Sequence, residues 1–355
     1  MREYSNKEQL AFDDILLVPQ HSEIQSRKKV NLSTSIGRFS KSITLNVPII
    51  AAPMDTVCEW EMAVAIRHFG GLGIIHRYMP IEEQARMIRM IKANNQLAGG
   101  SVGATGDYRK DALYLAESGA WLILIDVANG HSNYAIEAVK NLRRDLGSDV
   151  HIMAGNVSTW DGFARLADAG AESIRVGIGG GSACTTRVVS GHGVPTLSSV
   201  MDIRERVSYN EGPSIIADGG IRNSGDAAKA LAAGAQAVMV GRILAGTDES
   251  PGEIVNGTKV FRGMASKEAQ EDGRGVVSGV EGVSTTVPHV GSVRNVLEDF
   301  RAGLSSALSY TGVDNLIDFH AESMYNRVSG NSVHETKPHA KESNASSQKV
   351  RSSSY

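Results

Sequence analysis

The feature that most limits the fold of this chain is a recurring alternation. Short apolar runs lie at 48–52, 73–75, 121–125, 151–154, 173–176, 214–217 and 237–240. Trp121-Leu122-Ile123-Leu124-Ile125 shows the type. A strand with one wet face would alternate polar and apolar residues, so runs this continuous belong to strands covered on both faces. Helix-like segments separate most of them, at 60–69, 81–93, 108–118, 133–145, 161–169 and 225–234. Several end on Gly-Ala or Gly-Gly, as helix C-termini do. Strand-helix alternation at this spacing implies an α/β fold with a parallel sheet. The repeat number favours a closed (β/α)8 TIM barrel over an open sheet. In such a barrel chemistry gathers on the loops that follow the strands. Asp126, Asn156, the 177–187 loop, Asp218 and Gly241 hold those positions.

One barrel domain is expected over residues 1–328. From 329 to 355 the chain is Ser-, Lys-, Asn- and His-rich with almost no large apolar side chains. Such a segment buries too little surface to offset its ordering entropy, so a disordered tail is expected. Residues 265–290 are rich in Gly, Ser and charge and are expected to form a mobile loop or flap. The net charge of −3 gives no general attraction to nucleic acid or anionic membrane. No apolar run approaches the roughly 18 residues of a membrane span. The two cysteines, Cys58 and Cys184, have neither metal-type spacing nor a disulfide framework. A reducing, cytoplasmic setting follows as the expectation.

The strongest local signal is Val176-Gly177-Ile178-Gly179-Gly180-Gly181-Ser182-Ala183-Cys184-Thr185-Thr186-Arg187. Glycine allows positive φ and close backbone approach, so this loop can wrap a ligand or ion. Ser182 and exposed amides are suited to a phosphate. Cys184 is suited to nucleophilic attack, with Arg187 and the amides favouring its thiolate. The competing reading, an inert cysteine on a turn, is kept for Cys58, which lacks such surroundings.

This loop resembles the catalytic loop of the IMP dehydrogenase / GMP reductase family, whose pattern is GxGxGSxCTTR. Further matches are Phe12-Asp13-Asp14-Ile15-Leu16-Leu17-Val18-Pro19, Ala52-Pro53-Met54-Asp55-Thr56, Gly70-Gly71-Leu72-Gly73, Ala217-Asp218-Gly219-Gly220-Ile221 and Arg262-Gly263-Met264. The resemblance implies that the Cys184 thiolate adds to C2 of the purine of a nucleoside monophosphate, and that Thr186 helps move protons. It places a monovalent cation, K+, at the carbonyls of Gly179, Gly181 and Cys184, although Gly180 stands where Pro or Ser is usual. Ser182, Gly220 and Gly241 match phosphate contacts, with Gly219 beside them. Arg242 replaces a common small residue and is within reach of the phosphate. Asp218 matches the carboxylate on the ribose hydroxyls. Met54, Asn156, Arg175, Met264 and Ala265 match positions around base and ribose. Plain core packing is the other reading for the two methionines. Asp126 matches the residue near the nicotinamide carboxamide, with Ala128 and Asn129 on the same cofactor-side loop. No Rossmann fingerprint is present, so a dinucleotide would lie across the barrel mouth. The resemblance also implies a homotetramer.

Within the family one reaction oxidises IMP with NAD+, and the other reduces GMP with NADPH and releases ammonia. Dehydrogenases usually carry two CBS modules after the second barrel unit. Here Ile91-Lys92-Ala93 runs on to Val102-Gly103 without room for them. Dehydrogenases also resemble one another in a long flap whose Arg-Tyr pair activates water. Here Arg274 is followed by Gly275. Asp126-Val127-Ala128-Asn129-Gly130 and Met153-Ala154-Gly155-Asn156-Val157 look more like reductases. Ile221-Arg222-Asn223-Ser224-Gly225-Asp226, 244–253 and Gly70-Gly71-Leu72-Gly73 look more like dehydrogenases. The flap bears on the step that separates the reactions, so the expectation is a GMP reductase using NADPH, with Glu268 as general acid. An IMP dehydrogenase using NAD+ is the alternative. A nucleotide-binding barrel without turnover and a flavin-dependent barrel oxidoreductase are more distant ones.

Overall fold

Eight short parallel strands, each hydrogen-bonded to the next, close on themselves in the computed structural model, which describes residues 8–37, 42–209, 211–330 and 332. They are β1 (Ile49–Ala51), β2 (Leu72–Ile75), β3 (Gly99–Val102), β4 (Leu122–Asp126), β5 (His151–Val157), β6 (Ser173–Val176), β7 (Ser214–Asp218) and β8 (Ala237–Val240). Closure is made by β8 on β1, with Val238 opposite Ile49 and Val240 opposite Ala51. Eight helices follow the strands in turn: α1 (Trp60–Phe69), α2 (Ile81–Ala93), α3 (Tyr108–Glu117), α4 (Asn133–Leu146), α5 (Trp160–Asp168), α6 (Thr196–Arg204), α7 (Ser224–Ala232) and α8 (Val293–Thr311). The expected (β/α)8 barrel is therefore the fold.

The continuous apolar runs have a direct structural reason. Successive side chains of a strand point to opposite faces. Ile50, Leu72, Ile74, Leu122, Leu124, Met153, Ile216 and Met239 fill one apolar cluster. Their neighbours Ile49, Ile75, Ile123, Ile125, Ile152, Ile215 and Val238 join a second cluster with the helices. Both faces are dry, so both sets must be apolar. Each such side chain, once fully buried, contributes about 1.5–3 kcal/mol. A hairpin of Thr34–Ile36 and Ile43–Leu45 adds Ile36, Ile43 and Leu45 to the interior cluster. The Gly37 amide donates to Ser214 Oγ at the start of β7, so this plug sits at the N-terminal end of the strands. The opposite mouth is left for chemistry.

The strand that the apolar runs did not reveal is β3, whose sequence is Gly-Gly-Ser-Val. Its small residues are required by packing. A Cβ at Gly100 would lie 2.9 Å from Gln84 Oε1 and 3.0 Å from Leu115 Cδ1. Between α2 and β3 only residues 94–98 intervene, so no CBS module is inserted there.

The eighth unit is elaborated. Between β8 and α8 lie a short helix at Arg242–Ala245, an antiparallel hairpin of Thr258–Arg262 with Ser284–Pro288, and a helix at Lys267–Arg274 inside that hairpin. The 265–290 segment, expected as a loop, thus carries regular structure. Its polar composition reflects a helix exposed at Lys267 and Glu268 and capped by Ser266, whose Oγ accepts from the Ala269 amide at 3.2 Å. Strand Tyr325–Arg327 pairs antiparallel with Ile15–Leu17. Of the expected disordered tail, all but 329, 330 and 332 lies outside the described residues. Among the described residues no helix is long and apolar enough to cross a membrane.

The contact of β2 with α1 leaves no room for a methyl group at Gly73. A Cβ there would lie 2.5 Å from Ala63 Cα and 2.7 Å from Ala63 Cβ. Gly73→Ala is expected to cost about 1–3 kcal/mol in urea unfolding, because backbone must shift to accept it. An unchanged unfolding midpoint would contradict this packing.

Candidate active site

Three strand ends meet through one guanidinium, and a fourth joins them through Asn156. Arg175, on β6, donates from Nη1 to Asp126 Oδ1 at 2.7 Å. It also donates from Nη2 and Nε to Asp218 Oδ2 at 2.9 and 3.1 Å. Asn156, on β5, donates from Nδ2 to Asp218 Oδ2 and to the Gly177 carbonyl, both at 2.8 Å. Arg77, after β2, donates from Nε to Asp126 Oδ2 at 3.4 Å. The side chains of Arg175, Asp126 and Asp218 are 10%, 16% and 17% exposed. Charges this shielded persist only when paired and hydrogen-bonded. Burial alone would push Asp126 up, but Arg175 and Arg77 outweigh it and hold the carboxyl below its usual range. Asp218 Oδ1 makes no hydrogen bond to the described residues. It is the oxygen left to receive an outside donor.

The loop after β6 is shaped by contacts that only glycine allows. Gly177 has φ 141, and a Cβ on it would meet the Asp218 carbonyl oxygen at 1.9 Å. Gly180 packs against Gly219 and Thr196 Oγ1. The Cys184 amide donates to the Gly181 carbonyl at 3.0 Å, which closes the turn that presents the half-buried thiol. That carbonyl is one of the three expected at a cation, and it is already engaged within the loop. Arg187 packs on Gly179 and Gly193 and donates to the Val194 carbonyl at 3.3 Å. It ties down the loop by this contact. Cys58 is buried, and burial pushes its thiol up to about 12, which keeps it inert.

A second segment crosses the cysteine loop. The Thr185 amide donates to the Glu281 carbonyl at 2.9 Å, and the Val283 amide donates to the Ala183 carbonyl at 3.0 Å. Cys184 and Gly282 thereby form an antiparallel bridge. A line of polar groups results. Cys184 Sγ donates to Thr186 Oγ1 at 3.2 Å, and Thr186 Oγ1 donates to Glu281 Oε2 at 2.6 Å. The second bond has the length of a charge-assisted O–H···O⁻ contact. Glu268, expected beside Thr186, instead stands exposed on the first turn of the Lys267–Arg274 helix. There a carboxylate suits the helix N-terminus. Glu281 was missed because it lies 95 residues from its partner. A usable signal existed: it is the sole carboxylate between Asp272 and Glu298.

The remaining expected residues fall around the same mouth. Gly219 and Gly220, with φ 91 and 84, follow β7 and lie against Gly180. Gly241 opens the short Arg242–Ala245 helix, 3.2 Å from Met54 Sδ by its Cβ direction. Ser182 and Arg242 are exposed. Met264 Sδ accepts from the Asp55 amide at 3.5 Å, which brings Met54's loop and the hairpin together. The Ala265 carbonyl accepts from the Glu281 amide at 3.0 Å. Ala128 and Asn129 are exposed, and Asn129 Oδ1 accepts from the His131 amide at 3.0 Å in the turn that begins α4. Arg262, which the sequence marks only as part of a motif, has a definite anchoring role. It donates to Asp55 Oδ2 at 2.6 and 2.9 Å and to Asp272 Oδ2 at 2.7 Å, fastening the hairpin to the loop after β1.

The chain matches the family model described as IMP dehydrogenase / GMP reductase domain over residues 9–339. It is 31% identical to an inosine-5'-monophosphate dehydrogenase of Nitrosopumilus maritimus (strain SCM1), covering 94% of this chain and 98% of that one. It is 30% identical to a GMP reductase of Leishmania donovani, covering 94% and 97%. Its fold superposes with a TM-score of 0.87 on the crystal structure of a cysteine-to-alanine variant of GMP reductase from Trypanosoma brucei in complex with guanosine 5'-monophosphate. The identity is 28%, with 95% of this chain and 99% of that chain covered.

The Arg175 cluster gives a measurable outcome. Arg175→Met would leave Asp126 and Asp218 shielded without their shared cation, at an expected cost of about 3–5 kcal/mol near neutral pH. In the parent protein Asp126 lies below its ordinary value, so its stabilising share is lost as pH falls through that depressed value. In the variant, burial raises a carboxyl that has lost its main partner, and protonation relieves it. The deficit in unfolding free energy should therefore narrow between about pH 7 and about pH 5. A deficit that is constant over this interval would contradict the electrostatic account.

Proposed function

The chain belongs to the IMP dehydrogenase / GMP reductase family, oxidoreductases of purine nucleoside monophosphates, and from that premise we propose that it is a GMP reductase. The observation that carries this reading is the Cys184–Thr186–Glu281 line, with steps of 3.2 and 2.6 Å. It connects a nucleophile to a proton store without an Arg-Tyr pair, since Gly275 follows Arg274.

In the proposed reaction the nucleotide enters with its phosphate toward Ser182, Gly219, Gly220, Gly241 and Arg242. Its ribose faces the free Oδ1 of Asp218, and its base lies by Met54, Met264 and Ala265, near Asn156. Cys184 Sγ bonds to C2 of GMP. As that bond forms, the thiol proton passes through Thr186 to the Glu281 carboxylate, and the same pair returns it to the 2-amino group, which leaves C2 as ammonia. When bound, NADPH supplies the hydride that reaches C2, and the Sγ–C2 bond then breaks to give IMP. Asp126, with both oxygens on arginines, gives a fixed acceptor at the cofactor side of the mouth, next to Ala128 and Asn129. Arg175 holds Asp126 and Asp218 in place. K+ at the carbonyls of Gly179, Gly181 and Cys184 is carried into this proposal from the resemblance, and no step runs through it. A homotetramer is carried over in the same way, and the cytoplasmic setting rests on the two cysteines without a disulfide framework.

One observation favours the alternative. A Thr-Glu pair that delivers a proton can also withdraw one from water, as an IMP dehydrogenase requires. The two readings part in one assay. Reduced nicotinamide should be consumed with GMP plus NADPH and should not form with IMP plus NAD+; the reverse pattern would make the chain a dehydrogenase. Glu281→Gln is expected to lower kcat by about 10²–10⁴-fold. Glu268→Gln should change kcat far less. Equal losses in both would return Glu268 to the proton path.

A further inference from the structure

Residues 10–15 lie far from the barrel mouth in sequence, yet they are fastened to its phosphate corner. Arg222 follows Gly219 and Gly220 by two residues. Its guanidinium donates from Nη1 to Asp13 Oδ2 at 2.8 Å and from Nη2 to Asp13 Oδ1 at 2.5 Å. It also donates from Nε and Nη2 to the two oxygens of Asp226 at 2.8 and 3.1 Å, and its backbone amide donates to Asp226 Oδ2 at 3.0 Å. Lys229 Nζ donates to the Phe12 carbonyl at 2.7 Å. Phe12 is buried, and its ring edge lies 3.4 Å from the Cβ direction of Gly220. On the other side, Gly219 rests 3.2 Å from Gly180 and Gly181 by the same measure.

Two consecutive glycines with positive φ have the greatest freedom to lose on ordering. They hold one shape only if their surroundings impose it. Here the Phe12 ring and the Gly180 backbone form the two walls, and Arg222 pins the chain directly after them. Arg222 is not itself a spare anion receptor, because two carboxylates take up its donors. Two carboxylates against Arg222 and Lys229 also leave no net charge to repel a phosphate.

We propose that the N-terminal turn Phe12–Asp14 is a wall of the 5'-phosphate subsite, with Asp13, Arg222 and Asp226 as positioning residues for the Gly219–Gly220 amides. This rests on the placement of the phosphate proposed above. The Asp13–Arg222 contact is about half exposed, so it adds little to global stability. Its loss should be felt in the shape of the glycine pair.

The test compares ligands that differ only in the phosphate. Binding of GMP and guanosine, and of IMP and inosine, is measured by calorimetry on the full chain and on Asp13→Asn and Arg222→Met, with thermal unfolding alongside. Expected in both is a loss of about tenfold in affinity for the monophosphates with nucleoside affinity nearly unchanged; melting temperature should stay nearly unchanged in Asp13→Asn and fall in Arg222→Met, where the buried Asp226 loses its cation. Phe12→Ala should show the same selective loss, and Phe12→Leu less of it. If the folded variants keep the parent's preference for monophosphate over nucleoside, or lose both ligands equally, the positioning role is overturned. If the unaltered protein binds nucleoside and monophosphate alike, the phosphate placement falls, and this inference with it.

Discussion

The barrel mouth depends on a single shielded cation. Arg175 reaches Asp126 on β4 by passing over β5, and reaches Asp218 on the adjacent β7. Backbone pairing alone joins each strand only to its neighbours. This guanidinium couples the ends of strands that do not pair. Its planar fork matters here, since a lysine could not address both carboxylates along fixed directions. The arrangement leaves the Cys184 loop to grow from a rigid rim, because Gly177 follows β6 directly and its carbonyl is held by Asn156. Precision at the thiol therefore begins with charge pairing beneath it.

Much of this was legible in the chain, for physical reasons. A strand buried on two faces must be apolar at every position, so seven strands announced themselves. The eighth, Gly99–Val102, did not, because it is packed by the large side chains of its neighbours and contributes little bulk of its own. Helix limits such as 60–69 and 81–93 coincide with the helix-like segments between those runs, since helical pattern is a local property. The Cys184 loop was legible for the same reason, since its glycines and nucleophile lie within one stretch of sequence.

What escaped was what depends on meeting at a distance. Glu281 reaches Thr186 only because the hairpin of Thr258–Arg262 and Ser284–Pro288 turns back over the mouth. Glu268, closer to Met264, looked better placed in sequence, but the Ser266-capped helix carries it to solvent. Composition misled in the same region. Gly, Ser and charge suggested a loop, whereas an exposed amphipathic helix anchored through Asp272 and Arg262 has a similar content.

The bridge between Cys184 and Gly282 bears on how one fold can serve two reactions. The thiol, its turn and the rim below belong to the barrel, and in the proposed function they serve addition to the purine in either reaction. The proton partner belongs to the returning hairpin, which contacts the loop through backbone bonds at Ala183, Thr185, Glu281 and Val283. Backbone bonds place few demands on side chains. Residues on that hairpin can therefore change without disturbing the nucleophile's position, while altering whether a proton is given to a leaving amine or taken from water. Under the proposed function, reaction direction is then a property of the 263–283 segment more than of the cysteine loop.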